Sequence, residues 1–96
     1  MDFLTSVGVS AITLQKVKEY NGEAVVTDLY LNRIKVMEII KYLSSIGINV
    51  VDKLLIYNVD VFLLSVENIK NKIDEYGVYK FVTDINQDYS QISDII

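Results

Sequence analysis

Residues 48–64 read Ile48-Asn49-Val50-Val51-Asp52-Lys53-Leu54-Leu55-Ile56-Tyr57-Asn58-Val59-Asp60-Val61-Phe62-Leu63-Leu64, and the fold class turns on them. The second half, 59–64, has the β-branched and aromatic content of a buried strand. A short apolar run is equally the inner side of a helix, and periodicity does not separate the two. A strand near 59–64, between two helical segments, makes the middle of the chain an α/β or α+β unit. A helix makes the whole chain all-α.

The flanks favour the all-α reading. From Thr27 to Ile46, Leu29, Val36, Ile40 and Leu43 fall on one helical face, with Ile34 and Met37 beside them. From Val66 to Tyr76, Val66, Ile69, Ile73 and Tyr76 form a narrow stripe, with Ser65 placed to cap and Glu67 in the first turn. Ser10 to Tyr20 is a third helical segment, with Leu14 and Val17 inward and Asn21-Gly22 at its end. An Asn-Gly pair can also close a hairpin, but Gln15-Lys16-Val17-Lys18-Glu19 does not alternate.

There is no proline, so glycine is the main punctuation. Val7-Gly8-Val9, Ile46-Gly47-Ile48 and Tyr76-Gly77-Val78 share one apolar-Gly-apolar pattern, that of a helix stopped by a Schellman turn. Ser10 and Asn49, two residues past the first two glycines, are placed to cap the next helix. A degenerate internal repeat adds to the helical reading. Asn58, Asp60, Leu64 and Ser65 align with Asn86, Asp88, Ile92 and Ser93, and the corner glycines lie 39 and 30 residues apart. Stacked helix pairs have such spacing. The expectation is a single all-α domain over 1–96, a small bundle or short stack of helix pairs with glycine corners.

Composition limits the function. Hydrophobic residues make up 51% of the chain, and mean hydropathy is +0.29. A chain of this length buries roughly 60–70% of its unfolded surface, so some apolar side chains are expected outside the core. Asp52, Lys53 and Asp60 interrupt the most apolar region, whereas a membrane span needs about 20 apolar residues. Met1-Asp2-Phe3 lacks the basic start of a secretory signal, and no Asn-x-Ser/Thr acceptor occurs, so a cytoplasmic location is expected. Net charge is −4, and the nine basic residues are scattered, which argues against binding to phosphate backbones. Residues 78–96, with Asp84, Asp88 and Asp94 against Lys80, are expected to be solvated.

The segments Tyr42 to Ile48, Leu54 to Ser65 and Ile69 to Gly77 together resemble a repeat of the mitochondrial transcription termination factor family, over about a third of the chain. That family's units consist of an apolar-Gly-apolar corner, a di-leucine helix, a proline-containing turn and a second helix. Here Asn58 to Asp60 has no proline. The resemblance implies a helical solenoid and nucleic-acid binding through basic grooves, whereas this chain is short and acidic.

Without His or Cys, imidazole bases, thiol nucleophiles and soft metal ligands are absent, and no phosphate-binding glycine loop exists. Neither a cofactor nor a catalytic set is expected. Asp84-Ile85-Asn86-Gln87-Asp88 fits positions 1, 3 and 5 of a calcium loop, but Tyr89 replaces the turn glycine and Ile95 the closing glutamate. A polar turn is the simpler account. Of seven tyrosines and three phenylalanines, most are expected in the core, Phe81 and Tyr76 above all. Tyr42 falls with Asn32, Lys35 and Ile39, outside the main apolar face. Lys35, Ile39 and Tyr42 are therefore the expected partner-binding patch. The expected function is a non-enzymatic protein-protein interaction module, self-associating or docking on a larger partner. The alternative is a nucleic-acid-associated helical-repeat domain.

Overall fold

Ser10 and Ser65 each hold an extended backbone just ahead of an apolar-periodic segment, and each Oγ accepts the N–H three residues on. Thr13 donates to Ser10 at 3.2 Å and Asn68 to Ser65 at 3.1 Å. These caps start α1 (Ala11–Asn21) and α5 (Val66–Tyr76) where the sequence places them. The computed structural model describes the backbone of residues 2–96 and the side chains from Phe3 onward. Met1 and the Asp2 side chain, the start of the Met1-Asp2-Phe3 stretch, lie outside the described residues. The remaining α-helices are α2 (Glu23–Leu31), α3 (Arg33–Ser45), α4 (Val51–Tyr57), α6 (Val78–Gln87) and α7 (Ile92–Ile95). 3₁₀ turns cover Asp2–Val7, Val59–Leu63 and Tyr89–Gln91.

The chain is all-α, and no strand occurs among the described residues. The ambiguous run resolves into α4, a break at Asn58 and the 59–63 turn, which buries Val61 and Phe62. The hairpin reading at Asn21-Gly22 is replaced by a helix on each side of Gly22.

Two of the three glycine corners are Schellman turns. At Gly47 (φ +105°), Ile48 N–H donates to Leu43 O at 3.0 Å and Gly47 N–H to Ser44 O at 3.2 Å. The same pair of bonds closes Gly8, from Val9 to Leu4 and from Gly8 to Thr5. Gly77 differs: its N–H donates to Ile73 O and its carbonyl accepts from Phe81, so one residue ends α5 and opens α6. Asn49 does not cap α4. Val50 holds the cap position without a side-chain bond, and the Asn49 N–H is taken by Asn86 Oδ1.

The helix expected from Thr27 to Ile46 begins earlier, at Glu23, and is broken at Asn32 (φ −107°, ψ 24°). The Asn32 side-chain amide and its own backbone N–H both donate to Asp28 O, at 2.8 and 3.1 Å. Such local bonding competes with regular helix. Ile34, expected beside the apolar face, lies on the far side and is exposed, while Ile39 joins Leu29, Val36, Ile40 and Leu43 inside.

α3 is the central element, packed against α2, α4, α5 and the turns at 2–7 and 59–63. α1 lies along α4, and α6 packs on α5. One apolar cluster runs from Leu4 through Val17, Leu43, Leu55, Phe62, Ile73 and Phe81 to Ile92. Each such side chain contributes about 1.5–3 kcal/mol on leaving water. The radius of gyration, 12.5 Å, is that of a single folded body of this length. Residues 78–96 are not merely solvated: Phe81, Ile85 and Ile92 are buried, and Asp88 and Asp94 face outward. The aligned asparagines stand at different points of their helices, Asn58 as the C-cap of α4 and Asn86 inside α6.

Candidate interaction surface

The expected patch of Lys35, Ile39 and Tyr42 does not form a free surface. Ile39 is 0% exposed. It lies on the core side of α3, because the face centred on Val36, Ile40 and Leu43 is wide enough to include it. Lys35 is half-buried and donates from Nζ to Leu63 O at 3.2 Å, tying α3 to the 59–63 turn. Tyr42 is half-buried with Lys70 Nζ 5.0 Å from its ring centroid. Burial, and then the Asp74 carboxylate, push its phenol above the ordinary tyrosine range.

The apolar surface lies instead at the break between α2 and α3. Leu31 and Ile34 are 68% and 67% exposed, and Tyr30 is 53% exposed. Backbone bonding runs on through the break, from Asn32 to Asp28 O and from Val36 to Asn32 O. Ile34 is therefore three residues from Leu31 and four from Tyr30 on a near-helical path, the spacing of neighbours on one face. Tyr30 is held from two sides. The Phe3 ring meets it edge-on at 6.2 Å, and the Arg33 guanidinium lies 4.6 Å from its centroid. Arg33 also donates to Tyr30 O at 3.1 Å. Asp28, one turn before Asn32, and Glu38, one turn after Ile34, are both exposed. The composition reading calls for apolar residues outside the core; the locus follows from the Asn32 break, which a continuous helix hides.

Phe81 is buried as expected, and so is Phe62, but none of the seven tyrosines is fully buried, so most of the aromatic residues do not lie in the core. A phenol keeps its polar tip near water or a partner. Tyr76 is half-buried and donates its hydroxyl to Asp84 Oδ2. Three others form a track: Tyr20 and Tyr57 meet edge to face at 4.9 Å, and Tyr57 and Tyr89 stack at 5.7 Å. A cavity of about 350 Å³ beside it is lined by Lys16, Glu19, Tyr20, Ile56 and Tyr57. Lys53 Nζ lies 5.7 Å from the Tyr89 ring centroid.

The residues of the calcium-like run have other partners. Asp84 accepts from Tyr76, Asn86 bonds to Gly47 and Asn49, and Asp88 Oδ1 accepts from Ser90 N and Oγ. A helix also carries Asp84 and Asn86 where a calcium loop needs a sharp turn. Among the described residues no group of three or more acidic side chains converges as a metal site, and no helix is long and apolar enough to cross a membrane. Comparisons of the chain with protein-family models, curated proteins and solved structures return no match.

Proposed function

We propose that this chain is a non-enzymatic, cytoplasmic protein-interaction module that associates through Tyr30, Leu31 and Ile34, with a second copy of itself as the first partner. The supporting observation is the exposure of two large aliphatic side chains beside a braced tyrosine. Aromatic anchors in a dry centre with a polar rim dominate binding energy. Asp28 and Arg33, one on each helix of the break, give the patch both charge signs, which allows each to face the other across a two-fold contact. Light scattering across a concentration series is the test. Concentration-dependent dimer that disappears in Leu31→Glu supports the reading, and strict monomer at high concentration overturns it.

The tyrosine track favours a second reading, association with a nucleic-acid single strand. Lys53 lies over a ring of the stacked Tyr57–Tyr89 pair and Lys16 lines the adjoining cavity, a cation-and-ring combination like that of platforms carrying unpaired bases. Salt-sensitive anisotropy of a labelled oligonucleotide supports this reading. No binding at low salt removes it.

A further inference from the structure

Asn21 ends α1 and is followed directly by Gly22, which is exposed and has φ +88°. The Asn21 amide nitrogen donates to Val17 O at 3.1 Å, inside its own helix, and to Ile56 O at 2.9 Å, 35 residues away on α4. One side chain thus ties two helices that pack along each other. Beside it, Tyr20 of α1 meets Tyr57 of α4 edge to face.

An asparagine followed by glycine is the dipeptide most open to intramolecular cyclisation, because no side chain shields the next backbone nitrogen. We propose that Asn21-Gly22 is a deamidation site that the folded joint protects and that, once reacted, breaks the α1–α4 tie. The Gly22 backbone nitrogen gives its proton to solvent base and attacks Asn21 Cγ. A Cγ–N bond forms, the Cγ–Nδ2 bond breaks, and Nδ2 leaves with a proton as ammonia. Water then opens the five-membered imide at either carbonyl, leaving aspartate or isoaspartate and one added negative charge.

Two features protect the joint. Gly22 N–H is the closing bond of α1, donating to Lys18 O at 2.8 Å, and the Asn21 amide is held by two carbonyls. Attack requires both to open, so the reaction follows fraying of the last turn. The product cannot restore the tie. A carboxylate donates nothing to Val17 O or Ile56 O and sets an anion against both. The isoaspartyl form also adds a carbon to the backbone at the last residue of α1, directly ahead of the Gly22 cap of α2. This surface is separate from the Tyr30 patch, and the inference does not depend on that reading.

The full chain is incubated in mildly alkaline buffer, with and without urea, and conversion at Asn21 is followed by peptide mass. Conversion is expected at least about tenfold slower in the native buffer, as for an amide that reacts only from locally opened states. The separated acid form is expected to exchange the backbone amides of α1 and α4 faster than the parent. Equal rates in the two buffers, or unchanged exchange, would overturn the proposal. Asn21→Gln keeps an amide but cyclises only through a larger ring, and conversion at this site is expected to stop. Persistence of the same conversion in that variant would overturn the assignment.

Discussion

The side-chain amide of Asn86 spans the corner at Gly47: Nδ2 donates to the Gly47 carbonyl at 3.0 Å, and Oδ1 accepts the Asn49 N–H at 2.9 Å. The corner between α3 and α4 is thereby fixed by a residue of α6. Each such bond contributes about 0.5–1.5 kcal/mol net, so Asn86→Ala is expected to cost roughly 1–3 kcal/mol. Thermal unfolding should show a lower midpoint by about 4–8 °C per kcal/mol lost. Asn86→Asp keeps the acceptor and loses the donor, and is expected to fall between the two.

Gly47 itself is the second test of that corner. A Cβ there meets Val82 Cγ1 at 3.5 Å, an ordinary contact, so space is not the obstacle. The φ of +105° is, and it costs an L-residue about 1–3 kcal/mol. Gly47→Ala is expected to destabilise by that amount in a denaturant titration without altering the spectrum of the folded state.

Ile39 and Ile34 stand five residues apart on α3 and should answer oppositely. Ile39→Ala empties a core position and is expected to cost about 2–5 kcal/mol. Ile34→Glu replaces an exposed side chain and is expected to change stability by less than about 0.5 kcal/mol while abolishing self-association. Urea titration and light scattering on the same two variants separate core from contact.

The Tyr76 hydroxyl gives a pH signature. Its hydrogen bond to Asp84, followed by desolvation and the charge of that carboxylate, raises the phenol above its ordinary value of about 10. The folded state therefore holds this proton where the unfolded chain has begun to lose it. The contribution is complete below about pH 10 and is lost as pH rises through the raised folded value. Tyr76→Phe should flatten the alkaline fall in stability between those limits, as read by urea titration at a series of pH values.

Much of the fold is legible wherever a local rule acts alone. Ser10 and Ser65 cap as expected, the stripe through Ile69 and Ile73 is buried, and Gly8 and Gly47 stop their helices. Reading fails where a side chain chooses between local and distant partners. Asn32 bonds back to Asp28 O and breaks a helix that its apolar spacing draws as continuous. Asn49 yields its N–H to Asn86, a partner 37 residues away that no local pattern reveals. The Lys35, Ile39 and Tyr42 patch fails for a related reason. The width of a helix's buried face depends on how many neighbours surround it, and α3 is packed from several sides. The Tyr30 patch follows from the same break and is invisible without it.

The clasp on Gly47 also sets an order of events during synthesis. Asn86 lies 39 residues beyond that glycine, so the α3–α4 corner leaves the ribosome well before the side chain that fixes it. Until α6 emerges, the carbonyl of Gly47 and the N–H of Asn49 are without their Asn86 partner, and the Schellman bonds are the corner's local fastening. The clasp on the α3–α4 corner is thus completed by a segment translated after it.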